Sequence, residues 1–262
     1  MGRILGAYIT PHPPIMIEDI GGRESQKVIS TIKALEEISR RISEKNIETI
    51  VIITPHGPMF RDGMAFSMED RLKGDFKKFG AFNLEYEFKN DIKLVEIIMD
   101  ESEEDGIFCI PFTEDMAKTY GTDKGLDHGA LVPLHFIHKK NKKIKLVHIT
   151  YSGLSREDHY KFGRAIKRAI DMINRNCAII ASGDLSHRLT NNAPAGYDRR
   201  GQEYDNLYVN LVRNGDALGF LNMDETLITA AGECAYRATL VLLGALDKHN
   251  LRGEVLSYEG PF

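Results

Sequence analysis

Residues 48–54 read Glu-Thr-Ile-Val-Ile-Ile-Thr, a run of β-branched side chains with no polar gap after Thr49. Alternating polar and apolar residues mark a strand with one wet face; an unbroken apolar run marks a strand covered on both faces, as in a parallel sheet flanked by helices. Three other stretches have this character: Arg-Ile-Leu-Gly-Ala-Tyr-Ile at 3–9, Ile-Lys-Leu-Val-His-Ile-Thr at 144–150 and Cys-Ala-Ile-Ile-Ala-Ser at 177–182. Residues 64–68 are a further strand candidate, and 253–258 are predicted to close the sheet. Helical patterns lie between. Over 25–43, Val28, Ile32, Leu35, Ile38 and Ile42 fall on one face at helical spacing. Asp91 to Glu101 reads as a helix, Asp127 as the N-cap of a helix over 128–138, and Ser155 as the cap of a helix to about 175. Gln202 to Arg213 and Cys234 to Lys248 complete the helices. The alternation predicts one α/β domain over 1–262, with a largely parallel central sheet and helices on both faces. In such folds ligands bind at the carboxyl ends of the strands.

Composition narrows the function. A net charge of −4 argues against non-specific nucleic-acid binding, which needs concentrated positive charge. The one dense basic cluster, Lys139, Lys140, Lys142 and Lys143, sits between a helix and a strand and reads as a solvated turn. Three distant cysteines, Cys109, Cys177 and Cys234, form no disulfide framework and fit a reducing compartment. No apolar stretch reaches the ~18 residues of a membrane helix, and Pro11, Pro13 and Pro14 interrupt any signal-like segment, so a cytoplasmic protein is expected.

Five motifs carry the chemistry. Thr10-Pro11-His12-Pro13-Pro14 and Thr54-Pro55-His56-Gly57-Pro58 each place a histidine just after a strand, in a turn stiffened by proline. A lone histidine is most often a core or surface residue, but two such turns fall where an α/β site is expected. Ser182-Gly183-Asp184-Leu185-Ser186-His187 puts a third histidine after a strand; Asp184 and Ser186 read as caps of the next turn. Gly232-Glu233-Cys234-Ala235 sets a carboxylate at a helix start, where the dipole alone favours it and where it can also ligate a metal. Leu126-Asp127-His128-Gly129 places a histidine at a helix N-terminus, which favours the neutral imidazole. His12, His56 and Glu233 make a two-histidine, one-carboxylate set with open positions, the donor type of non-haem Fe(II), though zinc uses it too. His148 reads as a satisfied core residue, His135 and His138 as a half-buried helix face, and His159 and His249 as surface residues. No His-Glu-x-x-His, phosphate-binding glycine loop or Gly-x-Ser-x-Gly is present.

Taken together, Thr10–Pro14, Thr54–Pro58, Leu126–Leu134, Ser182–His187 and Gly232–Ala235 resemble the class III extradiol ring-cleavage dioxygenases, the type of the catalytic subunit of protocatechuate 4,5-dioxygenase. The resemblance runs from Tyr8 to about Tyr258. It implies iron held by His12, His56 and Glu233, His187 as the acid–base residue and His128 near the substrate, with a catechol-like ring opened by O2. The Gly-Asp-Leu-Ser-His-Arg and Gly-Glu-Cys-Ala-Tyr-Arg forms are closer to domains of the AmmeMemoRadiSam system and Memo proteins. Memo-type relatives carry a cysteine as the third ligand, so Cys234 is an alternative to Glu233. Two rival readings follow: a zinc metallohydrolase on the same scaffold, or a Memo-like metal protein with a partner or redox role. Partners are expected to be a small aromatic substrate and O2, with no nucleic acid and no membrane; a homo-oligomer is compatible. The chain stops at Tyr258-Glu259-Gly260-Pro261-Phe262 without a polar tail, which predicts a fused or partner second domain, against a natural end with Phe262 tucked into the core.

Overall fold

A computed structural model of the chain describes every residue except Pro194, Lys248 and Phe262, so the expectation for Phe262 and the end of the helix drawn to Lys248 lie outside the described residues. The strands are β1 (Arg3–Thr10), β2 (Thr49–Thr54), β3 (Met64–Ser67), β4 (Arg71–Phe76), β5 (Ala81–Asn90), β6 (Cys109–Phe112), β7 (Lys145–Thr150) and β8 (Asn176–Ser182). They form an eight-stranded sheet with the order β1-β8-β2-β7-β3-β6; β5 also pairs with β7, and β4 with β5. Pairing is parallel except for β3 with β7 and β4 with β5.

The apolar run that announces β2 is fully buried. Its side chains alternate between two cores, Ile50 and Ile52 on one face, Val51 and Ile53 on the other. The first core is covered by Leu35, Ile38 and Ile42 of the helix Ile29–Glu44 and by Ala130, Leu131 and Leu134 of the helix His128–Lys140. The second is covered by Leu94, Val95 and Ile98 of Ile92–Glu104, Phe162 and Ile166 of Arg156–Met172, and Ala238 and Val241 of Tyr236–Ala245. The expected α/β layering is thus observed.

Some elements differ from expectation. Residues 253–258 form no strand. Side chains hold this segment instead: Arg41 pairs with Glu254 at 2.6 Å, and Glu259 accepts from the Thr31 backbone at 2.8 Å. The hairpin of β4 and β5, with Gly80 at φ 85° closing its turn, lies outside the strands expected from sequence, although Leu84, Tyr86 and Phe88 alternate with polar neighbours. His159 is 0% exposed rather than a surface residue, with Nδ1 donating to the Ser155 carbonyl at 2.7 Å.

Burial holds His159, and likewise His135 at 5% exposure, down to about 4. Unfolded imidazoles titrate near ~6.5. Between these values the unfolded chain binds protons that the folded chain refuses. Stability should therefore be full above about pH 6.5 and fall toward pH 4, by ~1.4 kcal/mol per pH unit for each histidine. Denaturant midpoints across this range should show a shallower loss in His159→Asn, whose amide can still donate to Ser155; an unchanged slope would remove His159 from the account.

Candidate metal centre

Register decides where the motifs meet. Thr10 pairs with Ser182, Ile53 with Ala181 and Thr54 with Thr150, so β1, β8, β2 and β7 end side by side at one edge of the sheet. The turns that follow carry His12, Asp184 with His187, and His56. The helix starting at His128 arrives at the same edge, because Ser182 Oγ donates to the Gly129 carbonyl. Among the described residues, the ligand atoms of His12, His56 and His128 lie within 4.8 Å of one another, as do those of His12, Asp184 and Cys234.

His12 is common to both groups and is 1% exposed. Its backbone N–H donates to Asp184 Oδ1 at 2.8 Å. Its Nδ1 lies 3.0 Å from Ser182 Oγ. Because that hydroxyl gives its own proton to Gly129, it accepts from His12, which puts the proton on Nδ1 and leaves Nε2 as a lone pair. His12 Nε2 faces His56 Nε2 at 2.9 Å. If His56 carries its proton on Nε2 the contact is a hydrogen bond to His12; with that proton on Nδ1 two lone pairs face each other, the arrangement that a metal ion would bridge. Burial holds His12, His56 and His128 below the ordinary imidazole value, and His128 adds to this at His56. The neutral ring is the form that binds metal. Ser182→Ala should release the tautomer and lower metal affinity by ~10–100-fold, the usual cost of losing a group that orients a ligand; titration calorimetry with the divalent ion checks this.

His56 and His128 stack at 4.2 Å, and Phe79, from the hairpin turn, lies 5.4 Å from His128. Behind them Asp127 does more than cap its helix. It accepts from Ala130 N at 3.2 Å, Thr54 Oγ1 at 2.6 Å and His148 Nε2 at 3.0 Å, while His148 Nδ1 bonds Ser67 Oγ at 2.8 Å. Burial opposes its ionisation, but His148 and Thr54 outweigh it and hold the carboxyl well below its usual range. A Cβ on Gly129 would stand 2.4 Å from Thr54 Oγ1, so only glycine lets the helix start this close to the histidine turn.

The other side of the cluster is one backbone crossing. A Cβ on Gly183 would meet the Ala235 backbone at 2.2 Å, and Gly232 turns the chain at φ 61°. Asp184 N donates to Cys234 Sγ at 3.2 Å, and Cys234 N to the Asp184 carbonyl at 3.0 Å. Cys234 Sγ and Asp184 Oδ2 each stand 3.7 Å from His12 Nε2. Burial pushes the thiol up, so a metal is what would draw off its proton. Glu233 belongs to neither group. Its carboxylate accepts from Tyr236 N at 2.6 Å, lines a separate recess with Arg156 and Arg237, and is pushed up to about 7 by burial. The side chain this turn presents to His12 is Cys234.

His187 stands apart from both groups, with Nε2 3.8 Å from Asp184 Oδ2 and Nδ1 donating to the Gly232 carbonyl. Asp184 holds its imidazole above the ordinary value. Asp184 is more than the cap its sequence suggests: in the fold its carboxylate is the hub between His12 and His187. The signal was present in its position, two residues past a buried strand, like His12 and His56. His135 meets Tyr86 at 2.5 Å and lies outside these groups.

A three-layered α/β scaffold with convergent imidazoles at the carboxyl edge of its sheet is a setting suited to a metal ion. The chain belongs to the family described as the catalytic LigB subunit of aromatic ring-opening dioxygenase, whose model matches residues 6–262. It is 42% identical over 257 residues to Protein CA_C1420 of Clostridium acetobutylicum, covering 98% of this chain and 55% of that protein. The chain thus spans about half the length of that relative. It is 26% identical over 272 residues to a 3,4-dihydroxyphenylacetate 2,3-dioxygenase of Escherichia coli, covering 98% of this chain and 95% of the relative. The crystal structure of an uncharacterized Escherichia coli K12 protein has a similar fold, with TM-score 0.55, 18% identity and 82% of each chain covered. No described helix is long and apolar enough to cross a membrane.

Proposed function

We propose that the chain binds one divalent transition metal through His12, His56 and Cys234, and that it catalyses O2-dependent opening of a catechol-like aromatic ring. The observation that carries the metal reading is the pair of Nε2 atoms 2.9 Å apart, one fixed as a lone pair by the bond from Nδ1 to Ser182. Family membership supports the reaction class. A bound Fe(II) would supply a meeting point and an electron path for the ring diol and dioxygen. The chain's own residues do the rest. His128, stacked on His56, and Phe79 beyond it offer an aromatic wall for a planar ring. His187, anchored through Nδ1, offers Nε2 to take a hydroxyl proton and return it, with Asp184 stabilising the charged ring. Asp127 and Thr54 hold the His56 turn in place.

A second reading rests on the softness of this same Cys234 donor, whose Sγ lies 3.7 Å from His12 Nε2 while Glu233 occupies its own recess. Thiolate favours softer ions, zinc or copper over iron, and fits a Memo-like metal protein with hydrolytic, redox or partner chemistry in place of ring opening. Anaerobic purification, metal analysis and a catechol panel under controlled oxygen separate the two. Iron with O2 uptake on a catechol supports the first reading; zinc alone, with no uptake after iron loading, overturns it.

A further inference from the structure

The segment 251–261 runs beside β1 without joining it. Among the described residues β1, the edge strand, pairs with β8 alone, and its residues 4–9 are partly exposed where the central strands β8 and β2 are sealed. Side chains, not a backbone ladder, fasten the segment: Glu254 to Arg41, Glu259 to Thr31, and Tyr258 Oη to Asp205 Oδ2 at 2.8 Å. A segment fastened by side chains and not laddered onto β1 leaves space. The space is a cavity of ≈590 Å³ bounded by β1, the segment and the helices on either side. Its walls are mainly aliphatic, including Leu5, Leu185, Val209, Leu246 and Leu256. Asp184 and His187 line one end of this cavity, and Asp184 Oδ2 lies 3.7 Å from His12 Nε2, so that end borders the proposed centre.

A single benzene ring fits a cavity of about 150 Å³, and cavities of ~300–1,000 Å³ enclose much larger ligands. A bare catechol would leave most of this apolar volume unfilled. We infer that the substrate is a catechol carrying an extended apolar substituent, with its diol at the histidine cluster beside His187 and its substituent lying in the cavity between β1 and residues 251–261. This rests on the proposed ring-opening function and adds the substrate class to it. The cavity's apolar lining gives the selectivity, because each methylene taken from water into such a lining is worth ~0.8 kcal/mol, about a three- to fourfold gain in binding.

The test is calorimetric titration of the metal-loaded protein with catechol and with 4-methyl-, 4-butyl- and 4-octylcatechol. Parallel titrations of the metal-free protein use 4-octylphenol, and oxygen uptake is followed on each catechol. Binding should tighten at least tenfold from methyl to octyl, and the metal-free protein should still bind octylphenol. Val209→Trp and Ala34→Trp, filling the cavity from opposite walls, should each erase the chain-length gain while leaving catechol binding within twofold. Two variants guard against one that fails to fold, and the wild-type series needs neither. A flat series overturns the inference whatever the turnover, as does a gain that survives both fillings. A steep series without oxygen uptake would leave the cavity assignment standing and remove the ring-opening reading.

Discussion

His12→Ala should leave the chain folded and unable to retain a metal ion. Its Nε2 is the atom shared by both donor groups, so its loss should weaken binding by more than the ~10–100-fold that an orienting group is worth. Truncation also removes the bond that Ser182 Oγ accepts while leaving its donation to Gly129, at a cost of about 1 kcal/mol, small enough for most domains to survive. The expected result is native circular dichroism, a modestly lower melting temperature and no metal after dialysis. Retention of one ion per chain would show that the histidine pair is not the centre. His56→Ala should behave alike, with less loss of stability because His56 is exposed.

The second large effect is expected at His187. His187→Gln should keep the metal and lower ring-opening turnover by about 10²–10⁴-fold, the range in which a positioned proton carrier contributes. The motivation is its geometry: Nδ1 is committed to the Gly232 carbonyl and Nε2 stands 3.8 Å from Asp184, outside both donor groups. Single-turnover oxygen uptake and metal content should be measured on the same preparation. Loss of metal together with activity would make His187 a ligand instead.

Much of the scaffold was legible because the determining interactions are local. The β2 run specifies a strand buried on both faces with no knowledge of its neighbours, and Thr-Pro-His turns after two such strands then fall on one edge. Asp127 and Ser155 were readable as caps because a cap bonds only two or three residues away. What was not legible depends on distant contacts. That Cys234 and not Glu233 lies beside His12 depends on the positive φ of Gly232 and on Gly183 packing against Ala235, some fifty residues away in sequence. Residues 253–258 have a strand's composition, but Arg41, Thr31 and Asp205 hold the segment by its side chains. His159 is polar in composition and buried in the fold, since its partner is the carbonyl one helical turn back.

The central claim is one transition metal held by the two Thr-Pro-His histidines and Cys234. The most direct measurement is X-ray absorption at the metal edge of the loaded wild-type protein. The account predicts imidazole scattering from nitrogens at ~2.0–2.1 Å together with one sulfur at ~2.3 Å. A shell of nitrogen and oxygen with no sulfur would contradict it and return the third position to Glu233.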